Sequence, residues 1–159
     1  MRLTQYTDFG LRLLIYLAAS PNQTASLGEI AEAYGVSKAH LKKVAQAMAA
    51  SGILATRRGK SGGVKLAKQP STVVVGSIVR LLEPDLHLVE CMRPSNECVI
   101  TSACRLRRIA HEARAAMLSV FDRYTLNDLV AEPVQREQLC RLLDIAGPGS
   151  DPGLVLPPA

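Results

Sequence analysis

Apolar residues in the first fifty positions recur at helical spacing, interrupted by short polar or glycine-bearing stretches. From about Thr4 to Ala19 the pattern predicts a helix, with Tyr6, Phe9, Leu13, Ile15 and Leu17 suited to a core, stopped by "SPNQ". Ser26 and Glu29 have capping-box spacing, so a second helix is expected to run to about Tyr34, with Gly35 ending it. Ser37 is a suitable N-cap for a third helix, in which Leu41, Val44, Ala45 and Met48 share one face at i, i+3, i+4 and i+7; Gly52 closes it. Two short helices joined by a glycine-containing turn match a helix-turn-helix. The next stretch, "ILATRRGKSGGVKLAK", reads as two short strands around a glycine-rich turn, a hairpin with cations at its tip. Together these predict a winged helix-turn-helix.

Pro70 marks a boundary, after which a short helix is expected over Val75 to Leu82, followed by a cysteine-bearing loop. The longest helical pattern comes next. Leu106, Ile109, Ala113, Ala116, Met117, Val120 and Tyr124 advance by threes and fours, with Arg105, Arg107, Arg108, Glu112 and Arg114 largely on the other face. That apolar stripe lies outside the compact DNA-binding unit and needs cover. A twofold partner supplies it economically, since helix-turn-helix proteins usually read two half-sites as dimers; packing within the same chain is the simpler alternative. A further short helix begins at Thr125, and the glycine- and proline-rich end has the composition of a disordered tail. The expected fold class is mainly α. Residues 1–70 form the winged helix-turn-helix, 71–145 the cysteine loop and a long dimerisation helix, and 146–159 the tail.

Scarce aromatic residues (4%) and the absence of Trp fit that helical reading. Charge adds a direction. Up to residue 70 ten basic residues face three acidic ones, a net +7 within a chain at +5, which leaves −2 for the remainder. A basic first part suggests a polyanion partner for that part alone. The candidate DNA contacts are Ser37, Lys38, His40, Lys42 and Lys43 at the start of the third helix, which would enter the major groove, and Arg57, Arg58, Lys60 and Lys65 on the wing, which would neutralise phosphates. The expected target is a double-stranded, pseudo-palindromic operator. The same cations also fit a solvated basic face on an unrelated helical domain. "LRLLIYLAASP" mimics a signal peptide, but Asp8 precedes it and Arg12 interrupts it; no segment is long enough to span a membrane, so a reducing cytoplasm is expected. Nothing resembles a phosphate-binding loop or a Ser-His-Asp set, and His40, His87 and His111 lie in unrelated segments, so an enzyme is not expected.

Three of the four cysteines, Cys91, Cys98 and Cys104, fall in one short segment, with six residues in the first gap and five in the second. Zinc sites typically use closer pairs. Wider thiolate spacing suits an iron-sulfur cluster, which prefers soft ligands. Three thiolates leave a fourth ligand to be named. Cys140, on an apolar helical face with Leu139, Leu142 and Leu143, reads as a buried inert thiol, and Asp8 has a bland reading as a cap near the first helix N-terminus. A cluster-free module holding zinc or reduced thiols stays open at this point.

Several motifs together resemble one family. The N-terminal "MRLTQYTDFGLRLLIYLA", the segment "EAYGVSKAHLKKV", the wing "RRGKSGGVKL", the loop "CVITSACRL" and "YTLNDLV" are similar to the bacterial winged-helix iron-sulfur regulators that include NsrR, IscR and RirA. The resemblance covers nearly everything except the tail, and "CVITSACRL" is most similar to the nitric-oxide-sensing NsrR type. It implies a repressor that binds a cluster, 4Fe-4S in preference to 2Fe-2S, through Cys91, Cys98 and Cys104 and through Asp8 supplied by the other subunit of a homodimer. Nitric oxide would be the effector, with iron or redox sensing as the family's alternatives. IscR-like members place a histidine three positions after the third cysteine, where this chain has Arg107, and RirA-like members have longer cysteine gaps. The first gap here is somewhat wider than in several NsrR relatives.

Overall fold

A computed structural model describes residues 2–57 and 63–145. The first three helices are α1 (Gln5–Ala19), α2 (Leu27–Tyr34) and α3 (Lys38–Ala50). Each start and stop has a local cause. The Thr4 side chain accepts the Thr7 N–H at the head of α1, and Ser26 and Glu29 close a reciprocal capping box at the head of α2. Gly35 ends α2 in the left-handed region (φ 61), where a Cβ would be strained. Ser37 stands at the N-cap position of α3 but makes no side-chain capping bond, contrary to the expectation for it.

The expected face of α3 is the buried one. Leu41, Val44, Ala45 and Met48 all lie in the core beside Leu13, Leu14 and Leu17 of α1 and Ile30 of α2. Each large side chain so buried contributes about 1.5–3 kcal/mol relative to exposure. Gly10 lets α1 approach closely: a Cβ there would collide with Leu82 and stand 2.8 Å from the Met48 Cε.

Three short strands form the wing's sheet in the order β1 (Thr24–Ala25), β3 (Gly63–Leu66), β2 (Leu54–Arg57), all antiparallel. In β3 Val64 and Leu66 are buried while Lys65 points out, the period of a half-buried strand. The two hairpin strands match expectation. β1, two residues long, carries no readable period and was not anticipated.

Helix α4 (Val75–Leu82) occupies the expected residues and buries Ile78 and Leu82 in the same core. Helix α5 (Leu106–Asp122) is the longest, at 17 residues, and stops short of Tyr124, which the apolar pattern had included. Where a helix was expected from Thr125 there is only a 3-10 turn at Asn127–Leu129, because the Thr125 N–H and hydroxyl both donate to Asp128 in a local turn. Helix α6 (Pro133–Leu142) carries the helical face expected around Cys140, with a start at Pro133 that was not anticipated, and packs on the end of α1, where Arg136 donates to the Ala19 carbonyl. Among the described residues no helix is long and apolar enough to cross a membrane. The expected tail lies outside the described residues.

Candidate nucleic-acid interface and thiol loop

Burying one face of α3 turns the other outward. Ser37, Lys38, His40, Lys42 and Lys43 are all exposed, as are Arg57 and Lys65 on the wing. Arg58 and Lys60 lie outside the described residues. Among the described ion pairs none involves Lys38, Lys42, Lys43, Arg57 or Lys65, so their charge faces solvent unneutralised by a carboxylate. The first residues of α3 are held from behind by α1. The His40 ring stacks on Phe9 with centroids 6.2 Å apart, and the Tyr6 hydroxyl donates to the Lys43 carbonyl at 3.2 Å. Between α3 and the wing runs a cleft lined by Lys38, Lys42, Gln46, Thr56, Arg57 and Gly63. Gln46 and Thr56 were missed in the sequence, having no charge to mark them.

Arg12 is held between two partners. Its guanidinium meets Asp8 at 2.9 Å, one turn back, and lies 5.7 Å over the Tyr34 ring. Burial pushes the Tyr34 hydroxyl up to about 12, a rise that the neighbouring Arg12 opposes. Asp8 is therefore not the cap of α1. Thr4 has that role, and the Asp8 carboxylate is half-exposed and paired within the first turns.

The cysteine segment is a built loop with little regular structure. It is closed by side chains on each side of the thiols. Cys91 is buried in a 3-10 turn over Glu90–Met92, and the Glu90 carboxylate accepts the Glu97 N–H at 3.2 Å. Asn96 accepts the Cys98 N–H at 3.1 Å and donates to the Thr101 hydroxyl, which donates to the Cys98 carbonyl at 2.7 Å. Asn96 and Thr101 so clasp Cys98, a role signalled only by an Asn two residues before a turn. Cys104 precedes α5, and its Sγ accepts the Leu106 N–H at 3.4 Å, satisfying a helix-end donor that Arg105 leaves open.

Ahead of the loop, Asp85 accepts from the His87 backbone N–H at 2.7 Å and from Arg93 at 2.6 Å. These bonds, the one to the His87 N–H foremost, hold its carboxyl below the ordinary value. The His87 ring pairs with Asp85 at 2.8 Å. All four cysteines are free thiols. Cys140, expected to be buried, is half-buried, with its Sγ 3.8 Å from the Ala19 carbonyl. Among the described residues no three His, Cys, Asp or Glu side chains are grouped to hold a metal ion.

Among the described residues Leu81, Val134 and Leu142 are exposed singly on α4 and α6, and two groups of apolar side chains are exposed on the thiol loop and on α5. Val99 and Ile100, between Cys98 and Cys104, are 95% and 58% exposed. On α5 only Ala110 is buried, while Leu106, Ile109 and Val120 stand in solvent with Tyr124 beyond the helix end.

Comparison with known proteins matches residues 3–132 to the Rrf2 family model, described as an iron-dependent transcriptional regulator. The chain belongs to the Rrf2 family. Its function is accordingly transcription regulation and not catalysis. As an Rrf2 regulator it is 44% identical over 132 residues to the HTH-type transcriptional regulator NsrR of Shouchella clausii, covering 82% of this chain and 89% of that relative. With the NsrR of Bacillus subtilis it shares 42% over 145 residues, covering 90% and 97%. Among solved structures it superimposes on CymR, the global cysteine regulator of B. subtilis, with TM-score 0.62 and 26% identity, covering 82% of this chain and 97% of that one. It also superimposes on T. potens IscR with TM-score 0.62 and 26% identity, covering 85% and 91%. These neighbours share the winged-helix fold expected from the sequence.

Proposed function

We propose that this Rrf2 regulator is a homodimeric repressor whose hold on a pseudo-palindromic operator depends on an iron-sulfur cluster, 4Fe-4S in preference to 2Fe-2S, and is released by nitric oxide. The observation that carries the reading is the placement of three free thiols on one hydrogen-bonded loop that runs directly into α5. Cys91, Cys98 and Cys104 would hold the cluster. Their donor chemistry fits, being soft sulfur with an N–H already directed at the Cys104 Sγ, and hydrogen bonds to sulfur are among the features by which proteins tune such clusters. When bound, the cluster would supply iron reactive toward a small diffusible gas.

The chain's own residues do the rest. Asp8 would leave Arg12 and hold the cluster of the other subunit as its fourth ligand, a hard oxygen donor and so the most readily displaced of the four. The uncovered stripe of α5 forms the twofold contact that brings Asp8 of the partner subunit to the thiol loop. Lys38, His40, Lys42 and Lys43, with Ser37 at the helix start, would contact the major groove, and Arg57 and Lys65, with Arg58 and Lys60 by their place in the sequence, would neutralise phosphates. Loss of the Asp8 contact frees one reading head from the other and costs the register between half-sites. The similarity to regulators named NsrR supports nitric oxide as effector and the cytoplasm as compartment.

The test is anaerobic purification with iron and sulfide analysis, then titration of nitric oxide, oxygen and a chelator while DNA binding is recorded. Nitric oxide acting at stoichiometric amounts is expected, and Cys98→Ala is expected to abolish iron and sulfide binding. Cysteine variants with unchanged iron and sulfide would refute the cluster. A second reading, iron availability as the signal, draws on the family's description as iron-dependent; release by chelator and not by nitric oxide would favour it.

A further inference from the structure

Glu83 ends α4 and stands against the first turn of α1, 79 residues earlier in the chain. A single oxygen, Oε2, accepts three bonds: from the Thr4 N–H at 3.0 Å, the Thr4 hydroxyl at 3.1 Å and the Thr7 hydroxyl at 2.7 Å. Thr7 is fully buried, and the residue after it is Asp8. A carboxylate at a helix N-terminus is favoured by the free N–H groups and the dipole there. This one comes from another element, so it ties that element to the helix start.

On its other side α4 is bound to α5. Arg80, one turn before Glu83, makes a two-pronged pair with Asp122, both contacts at 2.6 Å. Gly76 leaves space for Asp122, which a Cβ would strike. The Val75 N–H donates to the Tyr124 carbonyl and the Leu126 N–H to the Val73 carbonyl. A continuous path of contacts therefore runs from α5, which follows Cys104, through α4 and Glu83 to the first turn of α1. From that turn Tyr6 and Phe9 reach the start of α3.

We propose that Glu83 is a positioning residue: it fixes the first turn of α1 to the α4–α5 strut, so that the state of the thiol loop is felt at Asp8 and at the recognition helix. The inference rests on the cluster-dependent reading above.

The test compares wild type with Glu83→Ala, Glu83→Gln and Thr7→Val, each cluster-loaded and chelator-stripped, on a duplex selected by the wild-type protein from a random-sequence library. The readout is the ratio of Kd between stripped and loaded forms. Glu83→Ala is expected to keep the wild-type iron and sulfide per chain while lowering that ratio at least tenfold. Glu83→Gln, which keeps an acceptor oxygen, is expected to recover part of it, and Thr7→Val to lower it several-fold. In stripped protein, amides of residues 7–11 are expected to exchange faster in Glu83→Ala than in wild type. A merely structural role would weaken both forms equally, and a ratio within twofold of wild type overturns the proposal. Should Glu83→Ala not fold, Thr7→Val decides, since it removes one hydroxyl at constant shape. A wild-type ratio of one overturns the cluster-dependent reading and this linkage together; a large wild-type ratio that all variants share overturns the linkage alone.

Discussion

Replacing Gly63 with Ala tests whether the wing is braced by β1. The added Cβ would stand 2.5 Å from the Ala25 carbonyl oxygen, 3.1 Å from its carbon and 3.5 Å from the Ser26 Cα, all backbone atoms. No rotamer change relieves such a contact, so either β1 or β3 must shift. Overpacking of this kind costs about 1–3 kcal/mol. Against it stands the gain from removing a strand glycine, about 0.5–1 kcal/mol. Taken at mid-range the clash wins, leaving a net loss of about 1–2 kcal/mol. At about 2–4 °C per kcal/mol for a chain of this size, the melting temperature falls by about 2–8 °C.

The same shift displaces Lys65 and Arg57, which pair in register with Thr24 and Gly63, so DNA affinity falls with it. Gly28→Ala is the control. There the nearest atoms, the Ser26 Oγ and Lys38 Nζ, are at 3.5 and 3.7 Å, ordinary contact, and the substitution gains up to about 1 kcal/mol of helix propensity. Urea unfolding at unchanged m-value measures both. A Gly63→Ala protein as stable as wild type would show that β1 does not constrain the wing and that the reasoning is wrong.

The two cap serines should behave differently. Ser26→Ala breaks the capping box and is expected to cost about 1 kcal/mol in urea unfolding, while Ser37→Ala, which removes no side-chain bond, costs less than about 0.5 kcal/mol. The Arg80 hydrogen bond holds the Asp122 carboxyl below its ordinary 3.8, so its contribution is complete above pH 3.8 and disappears as pH falls through the lower folded value. Melting curves of Asp122→Asn and wild type should accordingly differ at pH 5 and converge in stronger acid. Tyr34 has the opposite sense. Its hydroxyl is raised from 10.0 to about 12, so the folded state is penalised only as pH climbs from 10 toward 12, and Tyr34→Phe should unfold at higher pH than wild type in an alkaline titration followed by circular dichroism.

The sequence was legible where periodicity and local chemistry agree. The α3 face, the hairpin strands and α4 were read at their observed positions because Leu41, Val44, Ala45 and Met48, or Val64 and Leu66, follow one period and lie between glycine or serine boundaries. It was not legible where a long-range partner decides. β1 exists because Thr24 and Ala25 meet Lys65 and Val64; of α6 the face around Cys140 could be read, but not its docking on the end of α1 through Arg136 and Cys140. Thr125 misled because a favourable helix start also suits the turn that Asp128 closes. At the thiol loop the residue types could be read but the bonds of Asn96, Thr101 and Glu90 could not, since, beyond an Asn two residues before a turn, polar side chains in loops have no pattern until their partners are known. Glu83 was invisible for the same reason, its partners being 76 and 79 residues away.

The core connects the two ends of the chain. Ile78 and Leu82 of α4, Leu126, Val130, Leu143 and Ile145 pack in the same cluster as Leu13, Ile30 and Leu41. Interiors packed at crystal-like density resist gradual deformation, so a displacement at one edge is passed on and not absorbed. Among the described residues the thiol loop, with Val99 and Ile100 in solvent, and the outer face of α5 lie outside that cluster, as do the exposed Val134 and Leu142 of α6. A chain that is rigid where it presents Lys38 and Lys42, and unfinished where it presents Cys98 and Ile109, has its free surfaces at the places where a cofactor and a second subunit would be read. On the function proposed above, binding at those surfaces would need no new fold to reach DNA, because α1 already joins Glu83 at its first turn to His40 and Lys43 at the start of α3.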